Sequence, residues 1–121
     1  MKKVLIADDE KSLCDSLKKS FELTGDFSVE TISDSKAVVA AAVKFKPDII
    51  LLDVMMPGKS GNAVALELKE KEATKNIPLI FLTGIVSSDE VDGKDNMIGG
   101  EYFIAKPVDM DVLICLIKKI I

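Results

Sequence analysis

The chain predicts an α/β fold: a doubly wound parallel sheet of five strands flanked by five helices. Three observations carry that prediction. Short apolar runs alternate along the whole length with amphipathic segments of helical period. The run Ile49–Leu52 is apolar at every position, as in a strand buried on both faces of a parallel sheet. Two of the runs end in acid, Val4-Leu5-Ile6-Ala7 in Asp8-Asp9-Glu10 and Ile49–Leu52 in Asp53. Open α/β sheets place their ligands at that end of the strands.

The first strand is Lys3–Ala7. Lys11 to about Thr24 is a helix with Leu13, Leu17 and Phe21 on one face, closed by Gly25-Asp26. Phe27, Val29 and Ile32 give the second strand. Asp34 is the expected N-cap of a helix from Ser35 to Lys46, whose inner side is Val38, Val39, Ala42 and Val43. Pro47 ends it, and Ile49–Asp53 is the third strand. A loop from Met55 to Ser60 leads to a helix from Gly61 to about Ala73, with Val64, Ala65 and Leu68 inward. Ile77–Leu82 is the fourth strand and ends at Thr83-Gly84. The fourth helix, from Ser87 or Ser88 to about Ile98, carries Gly93 and four acids and is expected to be the softest element. Gly99-Gly100 breaks it. Tyr102–Ala105 is the fifth strand, and Met110–Ile121 the last helix. Right-handed crossovers join such strands.

With 121 residues, one domain spanning 1–121 is expected, large enough for its own core. Net charge is −4, and all 16 basic residues are Lys. Without Arg or a basic stripe, direct nucleic-acid binding by this chain is not expected. Cys14 and Cys115 are far apart, no His accompanies them, and both are read as small buried hydrophobes of a reducing cytoplasm. No run approaches a membrane span of ~20 apolar residues. A cytoplasmic location is expected.

At the carboxyl rim, the strand ends supply Asp8, Asp9, Asp53, Thr83 and Lys106, the last followed by Pro107. Carboxylates crowded together favour a hard cation, and Mg²⁺ suits oxygen ligands plus water. An ammonium and a hydroxyl beside it suit a phosphoryl group, whose transfer depends mainly on positioning and charge neutralisation. A carboxylate nucleophile forming an acyl phosphate is then the covalent route, and Asp53 on the central strand is the natural choice.

Four stretches together resemble the receiver domain of two-component response regulators, over the full chain. They are Ile6-Ala7-Asp8-Asp9-Glu10, Pro47–Gly58 with Ser60-Gly61, Phe81-Leu82-Thr83-Gly84, and Tyr102–Pro107. Each stretch alone is weak; their order and spacing are specific. The resemblance implies a flavodoxin-like sheet of order 2-1-3-4-5. It implies that Asp53 accepts a phosphoryl group from a sensor histidine kinase or phosphotransfer protein. Asp9, Asp53 and the backbone carbonyl of Met55 would hold Mg²⁺ directly, with Asp8 acting through metal-bound water. Thr83 would bind the phosphoryl group and move toward it, and Lys106 would pair with one of its oxygens. The Lys106–Pro107 peptide would be cis. Phe103 takes the switch position, with Tyr102 on the opposite face. Such a domain catalyses only its own phosphorylation and dephosphorylation. Its output would pass through the fourth helix, fifth strand and fifth helix, to a downstream effector or to a second copy in a homodimer.

Competing readings fail on particular residues. An FMN carrier would need a phosphate loop where Asp8-Asp9-Glu10 stands. An Asp-nucleophile phosphatase would need Asp at position 55, which is Met. A Walker A loop ending at Gly58-Lys59-Ser60 would need Gly at position 53. Met55 and Ile85 lie two residues beyond Asp53 and Thr83, where family side chains border the water route to the acyl phosphate. Both are apolar, which predicts a long-lived phosphoryl group. In the last helix, Leu113, Leu116, Ile117 and Ile120 form the core stripe, leaving Met110, Ile114 and Ile121 as a candidate contact surface.

Overall fold

The computed structural model describes residues 1–84 and 101–121, and the backbone of residues 97–98. Its strands are β1 (Lys2–Ala7), β2 (Phe27–Ile32), β3 (Ile49–Asp53), β4 (Leu79–Thr83), β5 (Met97–Ile98) and β6 (Glu101–Ala105). Its α-helices are α1 (Lys11–Thr24), α2 (Val38–Phe45), α3 (Gly61–Glu70) and α4 (Met110–Ile120). The sheet order is β2-β1-β3-β4-β6-β5. The five strands other than β5 pair in parallel, in the expected order 2-1-3-4-5.

Two cores, one on each face, result from strand alternation. Val4, Ile6, Ile49, Leu51, Ile80 and Leu82 point toward α1 and α4. Leu5, Ala7, Ile50, Leu52, Leu79 and Phe81 point toward α2 and α3. β3 and β4 are buried at every position, which is why their sequences lack polar alternation. Tyr102 packs on the first core and Phe103 on the second, the opposed orientation expected of neighbouring strand residues.

Several expectations are corrected. Met97 and Ile98 are not the end of a helix; they form β5, antiparallel to β6. Four α-helices, not five, are found among the described residues. The expected fourth helix otherwise lies outside those residues, as does Ile85. The single helix from Ser35 begins instead as a 3-10 turn, Ser35–Ala37, capped by the Asp34 side chain on Lys36 N–H. α2 comes next and stops at Lys46, which takes a left-handed φ of 54° before Pro47. α3 ends at Glu70 rather than near Ala73, because Thr74 folds back and donates its hydroxyl to the Leu68 carbonyl at 2.6 Å. β4 starts at Leu79, since the Ile77 N–H is used in a turn to Thr74 and Pro78 has no N–H.

Cys14 is buried, but Cys115 is exposed on α4. Met110 and Ile114 are partly buried against the first core, so the extra apolar stripe of α4 mostly widens its inner face. No helix among the described residues is long and apolar enough to cross a membrane.

Candidate functional site

Asp53 ends β3 and is 3% exposed; Asp8, just past β1, is fully buried. Both sit at the carboxyl edge because β1 and β3 are parallel neighbours in register, with Ala7 opposite Leu52. Asp9 is exposed beside them. One oxygen from each of Asp8, Asp9 and Asp53 lies within 4.8 Å of the others.

Lys106 stands just past β6 and reaches across β4's end to this cluster. Its Nζ lies 2.9 Å from Asp8 Oδ2, 3.4 Å from Asp53 Oδ1 and 3.4 Å from Glu10 Oε1. The Lys106 N–H donates to the Thr83 carbonyl at 2.8 Å, which fixes where the side chain departs. The Lys106–Pro107 peptide is cis. Thr83 is buried at the end of β4, opposite Ala105. Phe103 is half-buried and stacks on Phe81, with centroids 5.2 Å apart.

The loop after Asp53 is held tightly. Met55 N–H donates to Asp53 Oδ1 at 3.2 Å, and Gly61 N–H donates to the Val54 carbonyl at 2.9 Å. A Cβ on Gly61 would stand 2.2 Å from the Asp53 carbonyl oxygen, so only glycine lets α3 start this close to the strand. Gly58 takes a φ of 84°, and the neighbouring Pro57 carbonyl accepts the hydroxyl of buried Ser35 at 2.9 Å. Met55 projects outward and is 65% exposed.

Burial first, then the Asp8 charge and an Asp9 hydrogen bond, together raise the Asp53 pKa to about 6. The Met55 N–H and the Lys106 ammonium oppose it. Burial pulls the Lys106 pKa down, but Asp8, Asp53 and Glu10 overcome this and raise it. Asp8 Oδ1 accepts the Glu10 N–H at 2.9 Å. Asp8 Oδ2 receives no well-angled hydrogen bond; the Lys106 ammonium answers its charge without supplying one.

A buried carboxylate oxygen lacking a hydrogen bond, within reach of two other carboxylates, fits a hard divalent cation. Asp9's exposure leaves one side open to water, as Mg²⁺ requires. All the rim residues selected from sequence therefore converge on one edge. Sequence reasoning missed the Glu10 contact with Lys106, the steric need for Gly61, and Ser35 as the loop's anchor. Glu10 stood directly after the two acids, so its nearness was available; its pairing required the path of Lys106.

The response regulator receiver domain model matches residues 4–118. The chain belongs to the receiver domain family of response regulators. Over 121 residues the receiver is 35% identical to the phosphate regulon transcriptional regulatory protein PhoB of Pseudomonas aeruginosa, covering 99% of the chain and 52% of that protein. It is 30% identical to the DNA-binding dual master transcriptional regulator RpaA of Synechocystis, covering 100% of the chain and 49% of that protein. The receiver thus spans about half the length of these two curated relatives. Among solved structures, the chemotaxis response regulator CheY4 of Vibrio cholerae superposes with a TM-score of 0.83 at 26% identity, covering 100% of this chain and 99% of that one. The signal receiver domain of a DNA-binding response regulator from Colwellia psychrerythraea gives 0.81 at 28% identity, with 99% and 98% covered.

Proposed function

We propose that this receiver is a cytoplasmic phosphoacceptor switch in which Asp53 takes a phosphoryl group from a phosphohistidine on a sensor kinase or phosphotransfer protein. The observation that carries the reading is a buried Asp53 held between one ammonium and a pair of carboxylates. That arrangement gives a nucleophile, a counter-charge for phosphoryl oxygens, and a cation site in one place.

An oxygen of Asp53 forms the new bond to phosphorus while the P–N bond to the donor imidazole breaks. The electron pair of that bond returns to the imidazole, which leaves neutral once its ring carries a proton. Asp8, Asp9, Asp53 and the Met55 carbonyl would hold Mg²⁺, which supplies charge neutralisation of the phosphoryl oxygens when bound. Lys106 shifts its contact from Asp53 to a phosphoryl oxygen, and the Thr83 hydroxyl binds another. The chain turns over no external substrate beyond its own phosphorylation and dephosphorylation.

Phosphorylation adds charge and acceptor oxygens at the rim and biases a two-state equilibrium. Phe103, stacked on Phe81 two residues before Thr83, is placed to repack when Thr83 moves. The readout passes through β6, α4 and the segment before β5, to an effector or a second copy. The test is intact mass after incubation with a small phosphodonor, with and without Mg²⁺, beside Asp53→Asn. A single Mg²⁺-dependent phosphoryl adduct, lost in the variant, is expected. An adduct that survives in the variant would overturn the assignment.

A further inference from the structure

Glu10 has no part in the chemistry above, yet it touches the residue that does. Its carboxylate lies 3.4 Å from the Lys106 ammonium, which is 3.4 Å from Asp53. The Glu10 and Asp53 oxygens are therefore within about 7 Å of each other. Glu10 is also the outermost of the Lys106 partners: its side chain is 59% exposed, against 0% for Asp8 and 4% for Asp53. It lines an open groove of about 480 Å³ with Leu13, Leu17, Lys106, Pro107 and Met110. Glu10 and Lys106 thus both face this groove.

We propose that Glu10 is a specificity-determining rim carboxylate that selects against strongly anionic low-mass phosphodonors by claiming part of the Lys106 charge and repelling the incoming phosphate. The inference rests on the phosphoacceptor reading of Asp53. The incoming phosphoryl group needs the Lys106 charge that Glu10 shares. Repulsion rises with donor charge, so donors of different charge separate the effect from general damage. Near neutral pH an acyl phosphate such as acetyl phosphate is a dianion, and phosphoramidate is a zwitterion of single net charge. Two unit charges about 7 Å apart in water repel by roughly one thermal unit, so each unit of donor charge changes the rate roughly threefold. Asp8, Asp9 and Asp53 are the metal-binding acids; Glu10 is removable without taking away a proposed ligand.

The experiment uses the full chain at saturating Mg²⁺ and measures Asp53 phosphorylation with acetyl phosphate and with phosphoramidate, for wild type and Glu10→Gln, at low and high salt. Transfer from acetyl phosphate forms the Asp53 oxygen–phosphorus bond, breaks the acyl O–P bond and releases acetate; transfer from phosphoramidate breaks its P–N bond, and the already protonated nitrogen leaves as ammonia. The expected result is a rate gain in Glu10→Gln that is roughly threefold larger for acetyl phosphate than for phosphoramidate. The difference should shrink at high salt as screening replaces it. Glu10→Lys should enlarge it in the same direction. Equal gains for both donors, no gain, or a gain indifferent to salt would overturn the proposal while leaving the phosphoacceptor reading intact. Wild type that forms no adduct with either donor overturns both. Unchanged melting temperature of Glu10→Gln excludes loss of fold as the source of any difference.

Discussion

A carboxylate is normally ionised at neutral pH because water solvates it, and Asp53 has largely lost that water. With its pKa raised to about 6 by burial together with Asp8 and Asp9, metal-free folded protein holds the Asp53 proton more tightly than the unfolded chain. The folded form therefore binds more protons between about pH 4 and 6, and this residue's contribution to stability declines as pH rises through that window. Above it the penalty is constant, on the order of 1–3 kcal/mol. Asp53→Asn removes the penalty. In EDTA at pH 7.5 the variant should be more stable than wild type by about that amount, with the difference closing toward pH 4. Denaturant melts at both pH values check it, and a variant less stable than wild type at pH 7.5 would contradict the burial argument. The two thiols provide a simpler residue-scale test. Burial raises the Cys14 pKa to about 11, and its Sγ donates to the Asp8 carbonyl at 3.4 Å, whereas Cys115 is exposed. A thiol reagent at pH 8 should label native protein once, at Cys115, and reach Cys14 only on unfolding. Peptide mapping after brief labelling decides it.

The β3–α3 connection is the element on which the site depends most. α3 starts with Gly61 against the Asp53 carbonyl, and Ser60 caps it by accepting the Ala63 N–H at 3.2 Å. Gly61→Ala puts a methyl group into backbone that has no room to yield. We expect a loss of about 1–3 kcal/mol or more, and slower phosphorylation because Asp53 is displaced with its strand end. Melting temperature and adduct rate together test this; a variant with wild-type stability and rate would show that the loop yields. The elements themselves were legible wherever the pattern was strong. α1 and β3 coincide with their sequence-read bounds because Gly25 and Asp53 mark their ends chemically. The rim was legible too, since parallel strands bring their carboxyl ends, and the residues just past them, to one edge. The features that escaped the sequence depend on contacts between distant segments. Thr74 shortens α3 through a hydrogen bond back to Leu68, and Ser35 bonds to Pro57 across 22 positions. β5 escaped because two residues carry no period, and Gly93 with its acidic neighbours suggested only a weak helix. Cys115 was misplaced because hydrophobic character was taken for burial, although it lies on the outer side of α4.

The whole receiver is acidic, with net charge −4, and four of its 20 acids stand together at the carboxyl rim of the sheet. Asp8, Asp9 and Asp53 gather around a point, Glu10 stands at the edge, and Lys106 is the cation that faces them. Folding alone therefore assembles a repulsive cluster, which makes the folded state a better cation binder than the unfolded chain. By linkage, Mg²⁺ held at this cluster would stabilise the fold, by about 2.7 kcal/mol when its concentration reaches 100 times the dissociation constant. For a domain of this size, that is a rise in melting temperature on the order of 10 °C. The rise should be much smaller in Asp53→Asn, where a charged ligand has become neutral. It should be absent with NaCl at matched ionic strength, because screening relieves repulsion between exposed charges but Asp8 and Asp53 are buried. The pH trend should also change. Mg²⁺ bound there would compete with the proton on Asp53, so the decline in stability expected in EDTA between about pH 4 and 6 should flatten or reverse. Thermal melts across pH, with EDTA and with Mg²⁺, test the cluster as a unit. A melting temperature indifferent to Mg²⁺ at every pH would mean that the three carboxylates, though close, do not act together as a cation site.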